Sequence, residues 1–367
     1  MGRTTRAIKV GGLTIGGGAP VSVQTMGNVD PHDSAALIAQ VRSCAERGCD
    51  VFRLTVPDLD AARVLGEVKK ASPIPLVADI HFDYLCALAA IENGTDALRL
   101  NPGNIGARDR VQAVARAARE KKVPIRIGVN LGSLEKGLRE HLEAGALTVP
   151  EALVESALGH LKLLEAEEFS DVVISAKASN VPDTLATYRL LAERTDCPLH
   201  LGVTEAGTLI PGAVRNSVAL GILLSEGIGD TIRVSLTAKP EKEVKVGLEI
   251  LRSLGLREQG PSITSCPTCG RTKVDLIRVA TQVEDALEVL ANDPNSVFGC
   301  RGASGRTIPH VAVMGCAVNG PGEAKGADIA LCGGAGDFVL YVKGEPVCRV
   351  SADEAVGKVI EHAISLR

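Results

Sequence analysis

Eight short apolar runs, recurring along the first two-thirds of the chain, constrain its fold more than any other feature. They fall at Val21–Met26, Val51–Val56, Leu76–His81, Ala97–Asn101, Ile125–Asn130, Val172–Lys177, Leu199–Thr204 and Thr231–Leu236. Helical patterns separate them, among them Ser34–Arg47, Arg108–Lys121, Asp183–Arg194 and Gly212–Glu226. A helix between two strands returns the chain to the end it started from, so the strands run parallel. Eight of them predict closure into a (β/α)8 barrel of TIM type, with an open doubly wound sheet as the alternative. The interval 131–170 is long and carries two helical patterns, Leu134–Ala144 and Glu151–Glu167. Residues 8–20 read as a hairpin plugging the barrel floor. Their Gly16–Gly18 run opens no helix and is not a dinucleotide loop.

At 367 residues the chain is longer than one core usually serves. Lys239–Leu254 supplies the eighth outer helix, which predicts a barrel over 1–254 and a smaller α/β domain over 255–367. The second domain opens with a link, Gly255–Ile263. It continues with a helix (Lys273–Leu290), strands near His310–Met314, Ile329–Cys332, Phe338–Val342 and Val347–Val350, and a last helix (Ala352–Leu366).

Bulk properties exclude several function classes. A net charge of −4 gives no general attraction to nucleic acid or anionic membrane. Aromatic residues are 2% and Trp is absent, which removes base-stacking platforms. No apolar run reaches spanning length, and Met1–Lys9 has no signal-peptide core. The ten cysteines therefore read as buried thiols and ligands in a reducing cytosol, and the expected location is cytoplasmic.

Polar residues recur at alternate positions of the barrel strands, and period two puts them on one face. They include Gln24, Arg53, Asp79, His81, Arg99, Asn101, Arg126, Asn130, Ser175, Lys177, Arg233 and Ser235. Buried charge is costly unless paired. Four arginines and a lysine converging on the barrel mouth predict a site for a multiply charged anion. Internal salt bridging is the alternative, with Asp79 the only acidic residue on these faces. Asn101-Pro-Gly-Asn-Ile-Gly106 adds backbone N–H groups ahead of a helix, which suits a phosphate.

The second domain carries a metal-ligand pattern. Cys266 and Cys269 stand three positions apart in Ser265-Cys266-Pro267-Thr268-Cys269-Gly270-Arg271. Cys316 follows in a Gly/Pro-rich loop, with Glu323 seven residues beyond it. Three thiolates and a carboxylate make four ligands. Soft sulfur donors select zinc, copper(I) or an iron–sulfur cluster, and spacing alone leaves these open. Cys300 and Cys332 are rival ligands. Cys44, Cys49, Cys86, Cys197 and Cys348 read as apolar fillers.

The Ser265–Arg271 stretch, with Val313-Met-Gly-Cys-Ala-Val-Asn-Gly-Pro-Gly-Glu323, resembles the signature of the 4-hydroxy-3-methylbut-2-enyl diphosphate synthases, iron–sulfur enzymes of isoprenoid synthesis. Val21–Met26, Arg99–Gly106, Lys177–Ser179, Leu201–Gly207 and Gly227–Ser235 are similar to the family in the same order, so the likeness spans nearly the whole chain. Residues 295–308 have no counterpart in the signature.

The resemblance implies reductive opening and dehydration of 2-C-methyl-D-erythritol 2,4-cyclodiphosphate by one-electron steps. It implies a 4Fe-4S cluster on Cys266, Cys269, Cys316 and Glu323. Arg53, Arg99, Arg126 and Lys177 would clamp the diphosphate, supported by Asn130, Arg233 and Ser235. Glu205 would donate a proton; read alone it is a surface-loop carboxylate. Flavodoxin or ferredoxin would supply electrons to a homodimer in which one chain's cluster meets the other's barrel. The rival readings are a zinc-stabilised phosphate-binding barrel and a cluster carrier.

Overall fold

The computed structural model describes residues 3–257, 260, 262–293, 296–298, 308–318 and 320–366, apart from the side chains of Asn292 and Glu323. Two compact units divide the chain, Met1–Arg257 and Glu258–Arg367.

The first unit opens with an antiparallel hairpin, β1 (Ile8–Val10) and β2 (Leu13–Ile15). The alternation then runs β3 (Ser22–Met26), α1 (Ser34–Glu46), β4 (Val51–Thr55), α2 (Leu59–Ala71), β5 (Leu76–Asp79), α3 (Tyr84–Glu92), β6 (Ala97–Leu100), α4 (Arg108–Lys121) and β7 (Ile125–Asn130). After β7 come α5 (Lys136–Glu143), α6 (Val149–Glu165), β8 (Val172–Lys177), α7 (Val181–Arg194), β9 (His200–Leu201), α8 (Leu209–Ser225), β10 (Thr231–Ile232) and α9 (Pro240–Ser253). The expected pair of helices in the long interval is present.

The eight strands are hydrogen-bonded in the order β8-β7-β6-β5-β4-β3-β10-β9, every pair parallel. A parallel bridge between Ile174 and Leu199 joins β8 to the start of β9 and closes the ring. The barrel is the (β/α)8 form, and the open sheet is excluded. Val10 and Ile15 of the hairpin pack on Val51, Val77 and Ala97 at the strand starts, so the hairpin plugs the floor. β9 and β10 have two residues each, shorter than the apolar runs that predict them. Arg233, just past β10, still donates its backbone N–H to the Leu201 carbonyl at 3.0 Å.

Local chemistry explains the helices. Asp33 and Asp58 accept from the N–H groups of Ala36 and Ala61 at the starts of α1 and α2. A Thr148–Glu151 capping box starts α6. Leu37, Val41 and Cys44 then repeat at helical spacing and face the sheet. Each such buried Leu or Val contributes about 1.5–3 kcal/mol relative to exposure.

The second unit is a five-stranded sheet in the order β11 (Ile263–Ser265), β12 (Val311–Met314), β13 (Ile329–Gly333), β14 (Phe338–Val342) and β15 (Glu345–Val350). The first three run parallel, the rest antiparallel. Period two separates its faces. Val311, Val313, Ile329 and Leu331 pack under α10 (Leu276–Asn292) and α12 (Ala352–Ser365), while Ala312, Met314, Ala330 and Cys332 form a second cluster with Ala324 and Ala327, beside α11 (Gly320–Glu323). Strand β11 was not expected from the sequence, where Ile263 read as the end of the link and Ser265 as the start of the cysteine loop.

Candidate active site

The barrel interior is organised by one carboxylate. Asp79 ends β5, pairs in register with Thr55 and Arg99 on the neighbouring strands, and is 1% exposed. Its Oδ2 lies 3.3 Å from Arg53 Nη2 and 3.3 Å from His81 Nε2, and its Oδ1 accepts from Arg99 Nη1 at 3.2 Å. Burial works to raise this carboxyl, but Arg53, His81 and Arg99 together outweigh it and hold it below the usual range.

Arg99 is fixed from two sides. Its Nη2 also donates to the Gly128 carbonyl at 2.5 Å. A Cβ on Gly128 would stand 2.3 Å from Arg99 Nε, so glycine there is required by the guanidinium it faces. Gly128 N–H in turn donates to Asn101 Oδ1 at 2.9 Å.

Arg126 sits lower than the mouth. It is the second residue of six-residue β7, is 6% exposed, and donates through Nη1 to Gln24 Oε1 at 2.6 Å. With Gln24, His200 and Thr231 it borders a cavity of about 20 Å³ above Val10 and Ile15. Its Nε and Nη2 are buried without a hydrogen-bond partner, as is Nε2 of His200.

Lys177 ends β8 and has neither hydrogen bond nor ion pair among the described residues. Burial lowers its ammonium well below the ordinary value, and the charges of Arg233, Arg126 and Arg53 add to that, against Glu243. Arg53 is pushed down to about 10 by burial, against the pull of Asp79. Burial, and then the charges of Arg126, Lys177, Arg53 and Arg233, push the His200 imidazole well below its ordinary value.

A second carboxylate enters from outside the strands. Glu243, in the first turn of α9, lies 3.3 Å from Arg233 Nη2 and accepts from Thr25 Oγ1 at 2.7 Å. Asp79 is therefore not the only acid in the barrel. Even so, among the described residues Arg53, Arg99, Arg126, Lys177 and Arg233 face only Asp79 and Glu243. Such an excess of buried positive charge is satisfied by an anion.

The remaining expected residues lie at the rim. The Asn130 side chain accepts from Ser133 N at 3.0 Å and caps the turn after β7. Ser235 follows β10 and is half-buried. Glu205 is exposed in the turn after β9, with a left-handed φ of 53° that a non-glycine residue adopts at some cost.

In the second unit, β11 and β12 end side by side, Ser265 opposite Val313. The next residues carry the thiols. Cys266 Sγ accepts from Gly315 N at 3.3 Å, and Cys316 follows directly. A Cβ on Gly315 would meet Thr272 Oγ1 at 2.8 Å, so the two loops interlock. Cys269 is exposed; hydrogen bonds from the Arg271 backbone and side chain lower its thiol toward thiolate. Cys332 is buried, its Sγ 3.2 Å from a Cβ built on Gly320. Burial, then Cys316 and Cys266, push its thiol up to about 11. Among the described residues no three Cys, His, Asp or Glu side chains already form a closed metal-ligand set. The Glu323 side chain and Cys300 lie outside the described residues.

A family model for the GcpE TIM-barrel domain matches residues 5–248, and one for the GcpE protein C-terminal domain matches residues 262–365. The chain belongs to the GcpE family. Its relatives include the 4-hydroxy-3-methylbut-2-en-1-yl diphosphate synthase (flavodoxin) of Maridesulfovibrio salexigens, 53% identical over 352 residues, covering 96% of this chain and 93% of that protein. Proteins of the same name from Ruminiclostridium cellulolyticum and Geobacter sulfurreducens are 50% and 51% identical over 358 residues, covering 98% and 97% of this chain and 96% of each relative.

In this GcpE chain several residues that shape the site escaped the sequence reading. Glu243 carried a usable signal: it falls on the buried stripe of α9 with Val244, Gly247, Ile250 and Leu251, where a charge needs a partner. Gly202 carried none. A Cβ there would stand 2.5 Å from Lys177 Nζ and 2.6 Å from the Arg233 carbonyl. That requirement exists only once β8, β9 and β10 meet.

Proposed function

We propose that this chain reductively opens and dehydrates 2-C-methyl-D-erythritol 2,4-cyclodiphosphate to (E)-4-hydroxy-3-methylbut-2-enyl diphosphate. The observation that carries the reading is the barrel interior, where five cationic side chains share two carboxylates. A cyclic diphosphate supplies the missing negative charge, and its reductive opening gives the open diphosphate that the relatives' shared name carries. Arg99 and Lys177 hold the diphosphate, one pre-oriented by Asp79 and Gly128, the other uncommitted. Arg53 and Arg233 keep their carboxylates and set the field around it. Arg126, lower in the barrel, acts on the anion by charge. The hydroxyl lost as water needs a proton, and Glu205 delivers it from the loop after β9.

The donor chemistry of the second unit fits a 4Fe-4S cluster held by Cys266, Cys269, Cys316 and Glu323. Cys266 already accepts a backbone N–H, Cys269 is inclined to thiolate, and Cys316 follows the adjacent strand end. Bound there, the cluster supplies single electrons and a Lewis-acidic iron. Cys332 does not take part, because its raised, buried thiol belongs to the packing of the alanine cluster. Flavodoxin is the electron donor. The enzyme acts as a cytoplasmic homodimer, in which the exposed stripe Ile210, Val214, Val218 and Ile222 of α8 has a partner to cover it. Among the described residues no helix is long and apolar enough to cross a membrane.

Anaerobic purification tests this reading. Iron and sulfide near four per chain, with tight binding of the cyclodiphosphate, support it. Zinc in place of iron, or a loaded cluster without cyclodiphosphate binding, replaces it with a zinc-stabilised barrel or a cluster carrier.

A further inference from the structure

Outside the cationic interior, one buried imidazole joins three elements at the barrel mouth. His160 lies on α6 and is 1% exposed. Its Nδ1 accepts from the Gly103 N–H at 3.2 Å. Gly103 belongs to the tight turn Pro102–Asn104 that follows β6. A Cβ on Gly103 would stand 2.8 Å from His160 Cε1, so the turn and the ring are fitted to each other. On the far side, Nε2 lies 3.1 Å from Glu135 Oε1, in the connection that follows β7. That pair is within ion-pair range but poorly aimed for a hydrogen bond. Because Nδ1 accepts, the ring proton resides on Nε2, facing the carboxylate.

The turn held by Gly103 continues directly from Asn101. Asn101 Oδ1 takes the Gly128 N–H, and the Gly128 carbonyl takes Arg99 Nη2. A continuous chain of hydrogen bonds and peptide links thus runs from the imidazole to the guanidinium that pairs with Asp79. We propose that His160 is a positioning residue, which acts through Gly103, Asn101 and Gly128 to hold Arg99 in the orientation that receives the diphosphate. The imidazole touches no reacting atom. It replaces the water that would otherwise solvate the Gly103 amide and loosen the turn. This inference rests on the diphosphate reading for its effect on substrate, but not for its effect on the turn.

The test compares His160→Leu, which removes the acceptor, with His160→Asn, whose Oδ1 restores one near the position of Nδ1. In the ligand-free protein, amide exchange across 103–106 should rise at least tenfold in His160→Leu and stay near wild type in His160→Asn, as expected for one lost buried hydrogen bond. With substrate, KM for the cyclodiphosphate should rise about tenfold in His160→Leu while kcat holds, and His160→Asn should restore it. Gly103→Ala, which drives a Cβ into the ring from the other side, should reproduce the His160→Leu pattern if that variant does not fold. Unchanged exchange and KM in His160→Leu or Gly103→Ala overturn the proposal. So does a His160→Asn variant as impaired as His160→Leu, which would assign the role to ring packing. Exchange is measured without substrate, so it decides the positioning role even if wild-type protein proves not to turn over the cyclodiphosphate.

Discussion

Lys177 occupies space that Gly202 leaves vacant. A side chain at 202 would put its Cβ 2.5 Å from the Lys177 ammonium and 2.6 Å from the Arg233 carbonyl, a backbone atom that cannot swing aside. Gly202→Ala should therefore cost some stability, because the backbone must shift where β9 and β10 meet, and should displace Lys177, which has no hydrogen bond or ion pair among the described residues. A charge-assisted hydrogen bond contributes about 1.5–3 kcal/mol, so cyclodiphosphate affinity should fall roughly tenfold or more. Calorimetric titration checks this, and wild-type affinity in Gly202→Ala would remove Lys177 from the clamp.

The same lysine predicts a proton linkage. Burial and its cationic neighbours depress the Lys177 ammonium in the free barrel. A bound diphosphate favours the charged form and raises it. Between the free and bound values the protein must take up a proton on binding, so affinity weakens as pH rises through that window. Titrations in buffers of different ionisation enthalpy should report net uptake in wild type and a smaller uptake in Lys177→Ala. Proton release would reverse the sign and contradict the assignment.

Asp79→Asn tests the organising carboxylate. The substitution keeps shape but leaves Arg53 and Arg99 buried with a neutral partner, and breaking a buried charge pair costs about 3–5 kcal/mol. Thermal or urea unfolding should show that loss. The sign of the pH dependence follows from the lowered carboxyl. Its stabilisation is present above the unfolded value near 3.9 and disappears only as pH falls further, through the folded value. Wild-type protein should lose this contribution only in strong acid.

Much of the architecture was legible in the sequence because two periodicities carry it. Alternation at period two placed Arg53, Asp79, Arg99 and Lys177 on one face, and the eight βα repeats closed that face into an interior. Cys266, Cys269 and Cys316 were legible as a local motif. What stayed hidden depends on contacts between distant segments. Glu243 reaches the interior from the last barrel helix. Arg126 reaches Gln24 across the barrel, a contact between distant strands that no local pattern announces. His160 sits on a helix and looks like an ordinary core residue until the turn after β6 folds against it.

The thiols give a separate expectation. Cys266→Ser, Cys269→Ser and Cys316→Ser should each abolish iron retention on anaerobic purification. Cys332→Ser should retain it, because that thiol is buried with Met314 and the alanines and resists ionisation. Iron analysis decides. Full iron in Cys316→Ser with loss in Cys332→Ser would reassign the third ligand.

Single-turnover chemistry tests the central claim most directly, that the cationic barrel and the thiol-bearing unit together perform a two-electron ring opening. Anaerobic, iron-loaded protein would be mixed with the cyclodiphosphate and two equivalents of a chemical one-electron reductant per substrate, quenched, and examined by phosphorus NMR, because the cluster passes electrons singly and the ring opening takes two. The account predicts loss of the cyclic diphosphate signals and appearance of an open diphosphate monoester, in proportion to the electrons supplied. Reduced, fully loaded protein that binds the cyclodiphosphate and returns it unchanged would contradict it.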